Sequence, residues 1–185
     1  KATVDEKHEL EAESVIISTG ASAKWLGLEG EEKYNGKGVS ACAVCDGFFY
    51  KGLDVVVVGA GDTAAEEATY LSKLANKVYM LVRRDEMRAS KIMQQRVLNA
   101  PNIEVLWNTE ADEILGKDEV ESVRVVNNKT GEKKEIAAQG FFVAIGHQPN
   151  TGIFEGWLDM DECGYIKTIP GTSKTNIPTS GNRCR

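Results

Sequence analysis

Four consecutive valines that run into a glycine-rich turn constrain the fold of this chain more than any other feature. The valines follow Asp54 at positions 55–58, and β-branched residues without polar alternation are typical of a strand buried on both faces of a parallel sheet. The turn Gly59-Ala-Gly-Asp-Thr-Ala64 comes next, then a helical pattern over residues 65–75 and a second apolar run over residues 77–82. Strand, glycine turn, helix and strand within about 30 residues predict a βαβ unit with a right-handed crossover.

Further elements follow at both ends of this unit. A helix is predicted over residues 91–98, capped by Ser90 and ended by Pro101, and a third parallel strand over residues 103–107. Shorter runs predict antiparallel strands and a return to an apolar strand: residues 114–115, 120–126, 133–137 and 140–146, with a hairpin turn at 127–131. Before the unit, residues 15–20 predict a strand and turn, and residues 21–37 a loop. The fold class is therefore α/β, with a Rossmann-like parallel sheet and an antiparallel β-meander.

Composition excludes several functions. The chain has 185 residues, with 22 basic and 28 acidic side chains and a formal charge of −6, which disfavours a nucleic-acid partner. No apolar run reaches the roughly 18 residues of a membrane span. The chain opens at Lys1 in a polar stretch without an initiator Met. We therefore expect no signal peptide and a missing portion of the natural protein. The four cysteines comprise one close pair and two isolated residues, which fits a reducing, cytoplasmic location.

The glycine turn predicts a dinucleotide site because its context is met, with a buried strand before it and a helix after it. Gly59 would make the tight turn, Gly61 would let a pyrophosphate approach the backbone, and Ala64 would keep helix and strand close. The free N–H groups at the start of the helix would face the phosphates. The alternative is a glycine turn in a nucleotide-free α/β fold.

Arginines decide which nucleotide is expected. An NAD site needs an acid near the end of the second strand to bind the ribose 2′-hydroxyl, whereas this chain has Arg83 and Arg84 there, and Arg88 shortly after. Guanidinium groups bind phosphate in a bidentate way and so suit the 2′-phosphate of NADP. The sequence predicts NADPH over NADH; the alternative is that these arginines are solvated surface charge.

A close pair of thiols, Cys42 and Cys45, precedes the glycine turn. Cys-x-x-Cys can close a small ring and is typical of a redox pair. Zinc, which needs about four ligands, is the rival interpretation, but the remaining cysteines and histidines stand at no second paired spacing. A further alternative is that the two thiols are inert. Asp46 is then a candidate proton donor to the thiolate that reduction releases, or else a capping or turn aspartate.

Taken together, these residues resemble the low-molecular-weight thioredoxin reductases, in motifs that span most of the chain in the expected order. The motifs are Cys42-Ala-Val-Cys-Asp-Gly47, Gly59-Ala-Gly-Asp-Thr-Ala-Ala-Glu-Glu-Ala68, Arg83-Arg-Asp-x-x-Arg-Ala89 and Ala144-Ile-Gly-His-x-Pro-Asn150.

The resemblance implies an FAD/NAD(P)-binding fold and a flavoprotein in which NADPH reduces FAD, FAD reduces the Cys42–Cys45 disulfide, and the dithiol reduces thioredoxin. It implies Asp46 as the acid and leaves open which cysteine faces the flavin. It also implies a homodimer for the full-length protein. The cofactor-binding residues that we predict on this basis are Gly59, Ala60, Gly61, Asp62, Thr63, Ala64, Arg83, Arg84, Arg88, Ile145 and Gly146.

In that family the NADPH domain is inserted into an FAD domain. We accordingly expect a remnant of the FAD domain at residues 1–23, the NADPH-binding domain with the redox pair at residues 24–146, and an incomplete return segment of the FAD domain at residues 147–185. The N-terminal FAD fingerprint is absent, and the pattern of the family is lost at residues 179–185, where we assign Cys184 no role. Val82 also stands where many members have histidine.

On this basis the 185-residue chain is expected to be colourless, to bind NADPH and not to turn over alone. Two alternatives stay open. One is a flavoprotein reductase for a peroxidase or for another disulfide protein. The other is a non-catalytic nucleotide-binding or zinc-binding module.

Overall fold

The computed structural model describes residues 2–177, so the predicted divergence at residues 179–185, including Cys184, lies outside the described part. The chain divides into two compact units. The smaller unit is formed by the residues up to 22 and from 147 onward, and the larger by residues 23–146. None of the helices within residues 2–177 is long and apolar enough to cross a bilayer.

The described residues form twelve strands, four α-helices and two 3₁₀ turns. The strands are β1 (Ala2–Val4), β2 (His8–Leu10), β3 (Ala21–Ala23), β4 (Val39–Ser40), β5 (Asp54–Val58), β6 (Lys77–Val82), β7 (Ile103–Trp107), β8 (Thr109–Gly116), β9 (Val120–Asn127), β10 (Lys133–Ala137), β11 (Gly140–Val143) and β12 (His147–Pro149). The helices are α1 (Glu29–Lys33), α2 (Ala43–Asp46), α3 (Asp62–Leu71) and α4 (Lys91–Asn99), and the 3₁₀ turns are Gly47–Tyr50 and Gly152–Phe154.

A five-stranded parallel sheet with the order β4-β11-β5-β6-β7 organises the larger unit. From β5 the chain proceeds outward through α3, β6, α4 and β7, and only later does it add β11 on the other side of β5. The strand order therefore reverses between β5 and β11. In open α/β sheets, ligands bind outside the carboxyl ends of the strands at such a reversal.

The valines of β5 belong to two separate hydrophobic cores. Val55 and Val57 pack with the alanines and leucine of α3, whereas Val56 and Val58 pack with residues of β8 and β9. All four are buried, as a strand covered on both faces requires, since successive side chains point to opposite faces. The apolar run in the sequence thus reports a sheet with helices on one face and strands on the other.

The second covering layer is an antiparallel sheet with the order β10-β9-β8. It was expected from the shorter alternating runs, and the turn between β9 and β10 falls in the predicted hairpin at residues 127–131. The predicted fold class, a parallel sheet of Rossmann type with an antiparallel meander, is confirmed.

Two small sheets complete the described strands, one formed by β1 and β2 and the other by β3 and β12. The predicted strand at residues 15–20 is wrong, because those residues form no strand and Ile16 is 91% exposed. A strand is stable only when a neighbour completes its hydrogen bonds, and within residues 2–177 no strand pairs with this run.

The prediction of a loop over residues 21–37 is also wrong in part, because β3 and α1 interrupt that segment. Helix α1 is short, and its stability comes from Glu31, which is only 5% exposed. The carboxylate of Glu31 accepts hydrogen bonds from the backbone N–H groups of Leu26, Gly27 and Leu28, at 2.9, 2.7 and 3.0 Å. A five-residue helix held by one side chain leaves no periodic pattern in the sequence.

Candidate functional site

The turn after β5 requires glycine at its first position for two reasons. Gly59 has a positive φ of 148°, which side chains rarely tolerate. A Cβ atom there would also lie 2.4 Å from the carbonyl oxygen of Ala144 and 2.7 Å from the Cβ of Ala64. Gly59 and the small Ala64 together allow α3 to pack closely on the sheet.

Gly61 differs, because a Cβ atom at this position would meet nothing within 4 Å. Its φ of −90° is accessible to every residue, so neither packing nor backbone conformation requires glycine here. A glycine that the protein itself does not require leaves the backbone open to a ligand.

A cavity of about 610 Å³ opens at the carboxyl ends of β5, β6 and β11. It lies where the strand order reverses, as expected for a ligand site in an open sheet. Its walls come from five segments of the larger unit: Leu26 and Leu28; Val58, Gly59, Ala60, Gly61 and Thr63; Leu81, Arg83, Arg84, Glu86 and Arg88; Thr109, Glu110 and Ala111; and Ala144, Ile145 and Gly146.

Three arginines give this cavity an anion-binding character. Arg83, Arg84 and Arg88 all line it and are exposed, and among the described residues none of them makes an ion pair. Two acids, Glu86 and Glu110, are also present, so positive charge dominates locally in a chain whose formal charge is −6. Guanidinium groups without an acidic partner at the mouth of a cavity are suited to phosphate.

The structure brings nine of the eleven residues predicted to bind a cofactor to this one cavity. They are Gly59, Ala60, Gly61, Thr63, Arg83, Arg84, Arg88, Ile145 and Gly146. Asp62 and Ala64 do not line it. Ala64 lies beneath the turn, and Asp62 accepts a hydrogen bond from the backbone N–H of Ser90 at 2.8 Å, which lowers the pKa of the Asp62 carboxyl. The cofactor roles of all eleven remain predictions.

Half of the residues that line the cavity were not predicted from the sequence. Leu26 and Leu28 fall in the segment interpreted as a loop, and Thr109 to Ala111 begin β8 after a tight turn at Asn108. No local motif marks these residues, because they reach the cavity through chain topology. Glu31 could have been suspected as a cap from its position after Leu28, and it holds the backbone of the leucine segment in place.

The two thiols predicted to form a redox pair are joined as a disulfide. The Sγ atoms of Cys42 and Cys45 are 2.06 Å apart, and the Cα atoms 5.3 Å. Cys42 caps α2, its Sγ accepting a hydrogen bond from the backbone N–H of Cys45 at 3.2 Å. Cys42 is half-buried and Cys45 is exposed, so Cys45 is the more accessible residue of the pair.

Asp46 is connected to the disulfide segment through Ser40 of β4. Ser40 Oγ donates a hydrogen bond to Asp46 Oδ2 at 2.6 Å and accepts one from the backbone N–H of Cys42 at 3.0 Å. Ser40 is buried and Asp46 half-buried. The proton-donor role of Asp46 remains a prediction, and Ser40 is a neighbour that no sequence pattern indicated.

A second carboxyl beside the disulfide segment was also missed. Glu67 lies on α3, with the backbone N–H of Ala43 in α2 bonded to its carboxyl group, and burial raises its pKa to about 7. Its Oε2 atom is buried and has no hydrogen-bond partner within residues 2–177. Ala43 follows Cys42 directly, so a carboxyl that titrates near neutral pH contacts the turn that carries the disulfide.

Aromatic residues after the disulfide divide between core and surface. Tyr50 packs edge-on against Phe142, with ring centroids 5.2 Å apart. Phe48 and Phe49 are 69% and 75% exposed, so they do not pack in the core of the described chain. Val44, which directly precedes Cys45 in the chain, is exposed as well.

A metal site would need three or more suitable ligands. Across residues 2–177, no three His, Cys, Asp or Glu side chains converge in a way that could hold an ion. In the disulfide state, moreover, Cys42 and Cys45 are bonded to each other and present no thiolate to a metal.

Residues 1–179 match the family model of the pyridine nucleotide-disulphide oxidoreductases. Among curated relatives, the thioredoxin reductase of Dictyostelium discoideum is 53% identical over 175 residues, which cover 94% of this chain and 55% of the relative. The thioredoxin reductase of Rickettsia felis is 50% identical over 173 residues, covering 92% and 56%. The chain spans about half the length of the curated relatives it matches.

Solved structures agree with the sequence matches. The Lactococcus lactis thioredoxin reductase, in its FR conformation, superposes with a TM-score of 0.77 at 40% identity, over 86% of this chain and 53% of that one. The Giardia duodenalis thioredoxin reductase gives a TM-score of 0.76 at 46% identity, over 85% and 52%. The resemblance to the low-molecular-weight thioredoxin reductases is thus confirmed.

Proposed function

This chain belongs to the pyridine nucleotide-disulphide oxidoreductase family, and from that membership we propose that it is the NADPH-binding and disulfide-carrying part of a thioredoxin reductase. The electrons of NADPH reach the Cys42–Cys45 disulfide and then thioredoxin. The observation that carries the proposal is the cavity that gathers the glycine turn and three arginines in the same compact unit as the disulfide.

The cavity residues fit the two charged parts of NADPH. The open backbone at Gly61 and the amino-terminal N–H groups of α3 suit the pyrophosphate. Arg83, Arg84 and Arg88 suit the 2′-phosphate, which NADH lacks. The second strand ends in arginines where an NAD site would have an acid, and this difference supports NADPH as the nucleotide.

Reduction of the disulfide consumes two electrons and two protons. The Cys42–Cys45 bond breaks, NADPH becomes NADP⁺, and two thiols form, with a hydride from the nucleotide and one solvent proton balancing the reaction. When bound in the full-length protein, FAD supplies the electron relay between nicotinamide and sulfur. Within the chain, Asp46 directly follows Cys45 and is the candidate to give a proton to a departing thiolate.

Three exposed apolar residues lie within four positions of Cys45 in the chain, namely Val44, Phe48 and Phe49, and they fit a protein as the final electron acceptor. Exposed large apolar side chains next to a reactive group are typical of an interaction site. We assign thioredoxin as this acceptor, residues 24–146 as the NADPH domain, and residues 1–23 and 147–185 as segments of an FAD domain. The full-length protein is proposed to be a cytoplasmic homodimer.

A nucleotide titration tests the first half of the proposal. NADPH fluorescence, followed on addition of the 185-residue chain, is expected to give a dissociation constant at least about tenfold below that for NADH, as two charge-assisted hydrogen bonds would provide. The double variant Arg83→Ala, Arg84→Ala should lose most of this preference and keep only the part that Arg88 supplies. Lys91→Ala removes an exposed cation that does not line the cavity and should change nothing. Equal affinity of the unmodified chain for both nucleotides would refute NADPH selectivity.

A thiol count tests the second half. The denatured chain should show two more reactive thiols after treatment with dithiothreitol than before it, and Cys42→Ser should abolish that difference. An unchanged count, or stoichiometric zinc by metal analysis, would favour the zinc module instead. Turnover with thioredoxin and with a peroxidase, measured on the full-length flavoprotein, then separates the two possible acceptors.

A further inference from the structure

The arginines of the cavity lie on one segment, residues 83–90, between the end of β6 and the start of α4. Arginine side chains are long and lose much rotamer entropy when they bind. Two guanidinium groups bind one phosphate at a lower entropy cost when the backbone that carries them is fixed. The contacts that hold residues 83–90 in place therefore affect which ligand the cavity selects.

The carboxyl end of the segment is attached to the glycine turn. The carbonyl oxygen of Ala60 accepts hydrogen bonds from the backbone N–H groups of Arg88 and Ala89, at 2.8 and 3.0 Å. Asp62 accepts the bond from Ser90 described above. Arg88 is thus coupled directly to the turn expected to bind pyrophosphate.

The amino end is attached to two other connections of the fold, the turn between β9 and β10 and the residue between β7 and β8. Asn128 Nδ2 donates to the carbonyl oxygen of Arg83 at 2.7 Å. The backbone N–H of Asn108 donates to the carbonyl oxygen of Arg84 at 3.0 Å, and the backbone N–H of Asn128 donates to the carbonyl oxygen of Asn108 at 2.8 Å. Both arginine carbonyls are therefore held, one by a side chain and one by the backbone.

Asn108 supports the amino end of residues 83–90 through its backbone N–H. Its φ is +54°, in the left-handed region that asparagine adopts more readily than most residues, and it joins β7 to β8. The salt bridge between Lys129 and Asp85, at 3.4 Å, is exposed on both sides and contributes little. The bond from Asn128 to Arg83 is made by an exposed side chain. A single substitution of Asn128 therefore removes this contact at the amino end of the segment.

We propose that Asn128 is a positioning residue for nucleotide selectivity: by holding the carbonyl of Arg83, it aims Arg83 and Arg84 at the phosphate that distinguishes NADPH from NADH. The inference rests on the proposed function. It assigns part of the specificity to the antiparallel meander, which supplies no arginine to the cavity. Loss of this bond leaves both arginines in place and frees the backbone carbonyl of Arg83, while the carbonyl of Arg84 stays bonded to the backbone N–H of Asn108.

The test measures selectivity rather than affinity alone. Dissociation constants of NADPH, NADH, 2′-phospho-AMP and AMP are measured for the unmodified chain, for Asn128→Ala and for Asn128→Ser, in which the shorter side chain cannot reach Arg83. Both variants should bind the two 2′-phosphorylated ligands about fivefold more weakly, the value of one hydrogen bond, and bind NADH and AMP within about twofold of the unmodified chain. Thr130→Ala is the matched control, because the one hydrogen bond of Thr130 Oγ1 within residues 2–177 comes from the backbone N–H of Glu132 and does not involve residues 83–90.

The outcomes separate the role of Asn128 from the proposed function itself. An unchanged ratio of NADPH to NADH affinity in both variants overturns the role of Asn128, and so does an equal loss for all four ligands, which would indicate general loosening. Circular dichroism of each variant verifies that the chain is folded. Failure of the proposed function is seen earlier and separately, as a lack of NADPH preference in the unmodified chain.

Discussion

The glycine turn and the disulfide helix are held in place by different means. The turn is fixed by backbone packing, with Gly59 pressed between Ala144 and Ala64. The disulfide helix α2 has only four residues and is held by side chains of other elements, Ser40 from β4 and Glu67 from α3. A backbone position packed as closely as Gly59 tolerates almost no added atom. In a helix held by single hydrogen bonds, a substitution can remove one bond and leave the others in place.

The strongest test of this contrast is Gly59→Ala. The new methyl group meets a carbonyl oxygen at 2.4 Å in a backbone conformation that disfavours it, so we expect a loss of about 2–4 kcal/mol in the free energy of unfolding. Urea unfolding followed by tryptophan fluorescence measures it. A loss below about 1 kcal/mol would show that the turn adapts and that the contrast is mistaken.

Gly61→Ala should have the opposite character. A Cβ atom there meets nothing in the protein, so stability should stay within about 0.5 kcal/mol, while NADPH binding should weaken about tenfold or more because the methyl group occupies the approach of the pyrophosphate. Gly152→Ala is the control, since it is equally unobstructed and lies in the smaller unit. Unchanged NADPH affinity in Gly61→Ala would place the phosphates elsewhere.

Ser40→Ala probes the disulfide helix. It removes the acceptor of the Cys42 N–H and the donor to Asp46, and a buried group left without its partner costs about 1 kcal/mol. The urea midpoint should fall accordingly, and dithiothreitol should reduce the disulfide at a changed rate. Ser173→Ala, at an exposed position, should leave both quantities unaltered. If Ser40→Ala also leaves them unaltered, the helix does not depend on this contact.

Glu67 should make the stability of the chain depend on pH. Burial raises its pKa in the folded chain to about 7, from 4.5 for an ordinary glutamate. The folded state therefore binds the proton more tightly than the unfolded state, so this contribution to stability is complete below pH 4.5 and is lost as the pH rises through 7. Urea midpoints at about pH 5 and about pH 8 should differ less in Glu67→Gln than in the unmodified chain. Glu66→Gln, at the exposed neighbouring position, should keep the full difference.

The same contrast explains what could be predicted from sequence. Val55 to Val58, Gly59 and Ala64 are consecutive or nearly so, and their spacing alone predicts strand, turn and helix. The fold class and the disulfide pair were predicted in this way. By contrast, Ser40, Glu67 and Asn128 each contact a residue of a different element, and the bond from Asn128 spans 45 residues of the chain. Such contacts depend on how layers pack, which periodicity does not report.

Errors of the sequence-based prediction have the same origin. The apolar run at residues 15–20 has the composition of a strand. A strand also needs a neighbouring strand to pair with, and the composition of a segment does not show whether such a neighbour exists. Helix α1 was missed because three N–H groups converge on a single buried carboxylate, that of Glu31. Leu26 and Leu28, which reach the cavity through this arrangement, were missed with it.

The larger unit begins and ends at one place. The backbone N–H of Lys24 donates to the carbonyl oxygen of Gly146 at 3.0 Å. The first and last residues of the larger unit are therefore adjacent in space. A domain whose two ends are adjacent can be inserted into a surface loop of another protein, because the insertion separates the flanking residues of that loop only slightly.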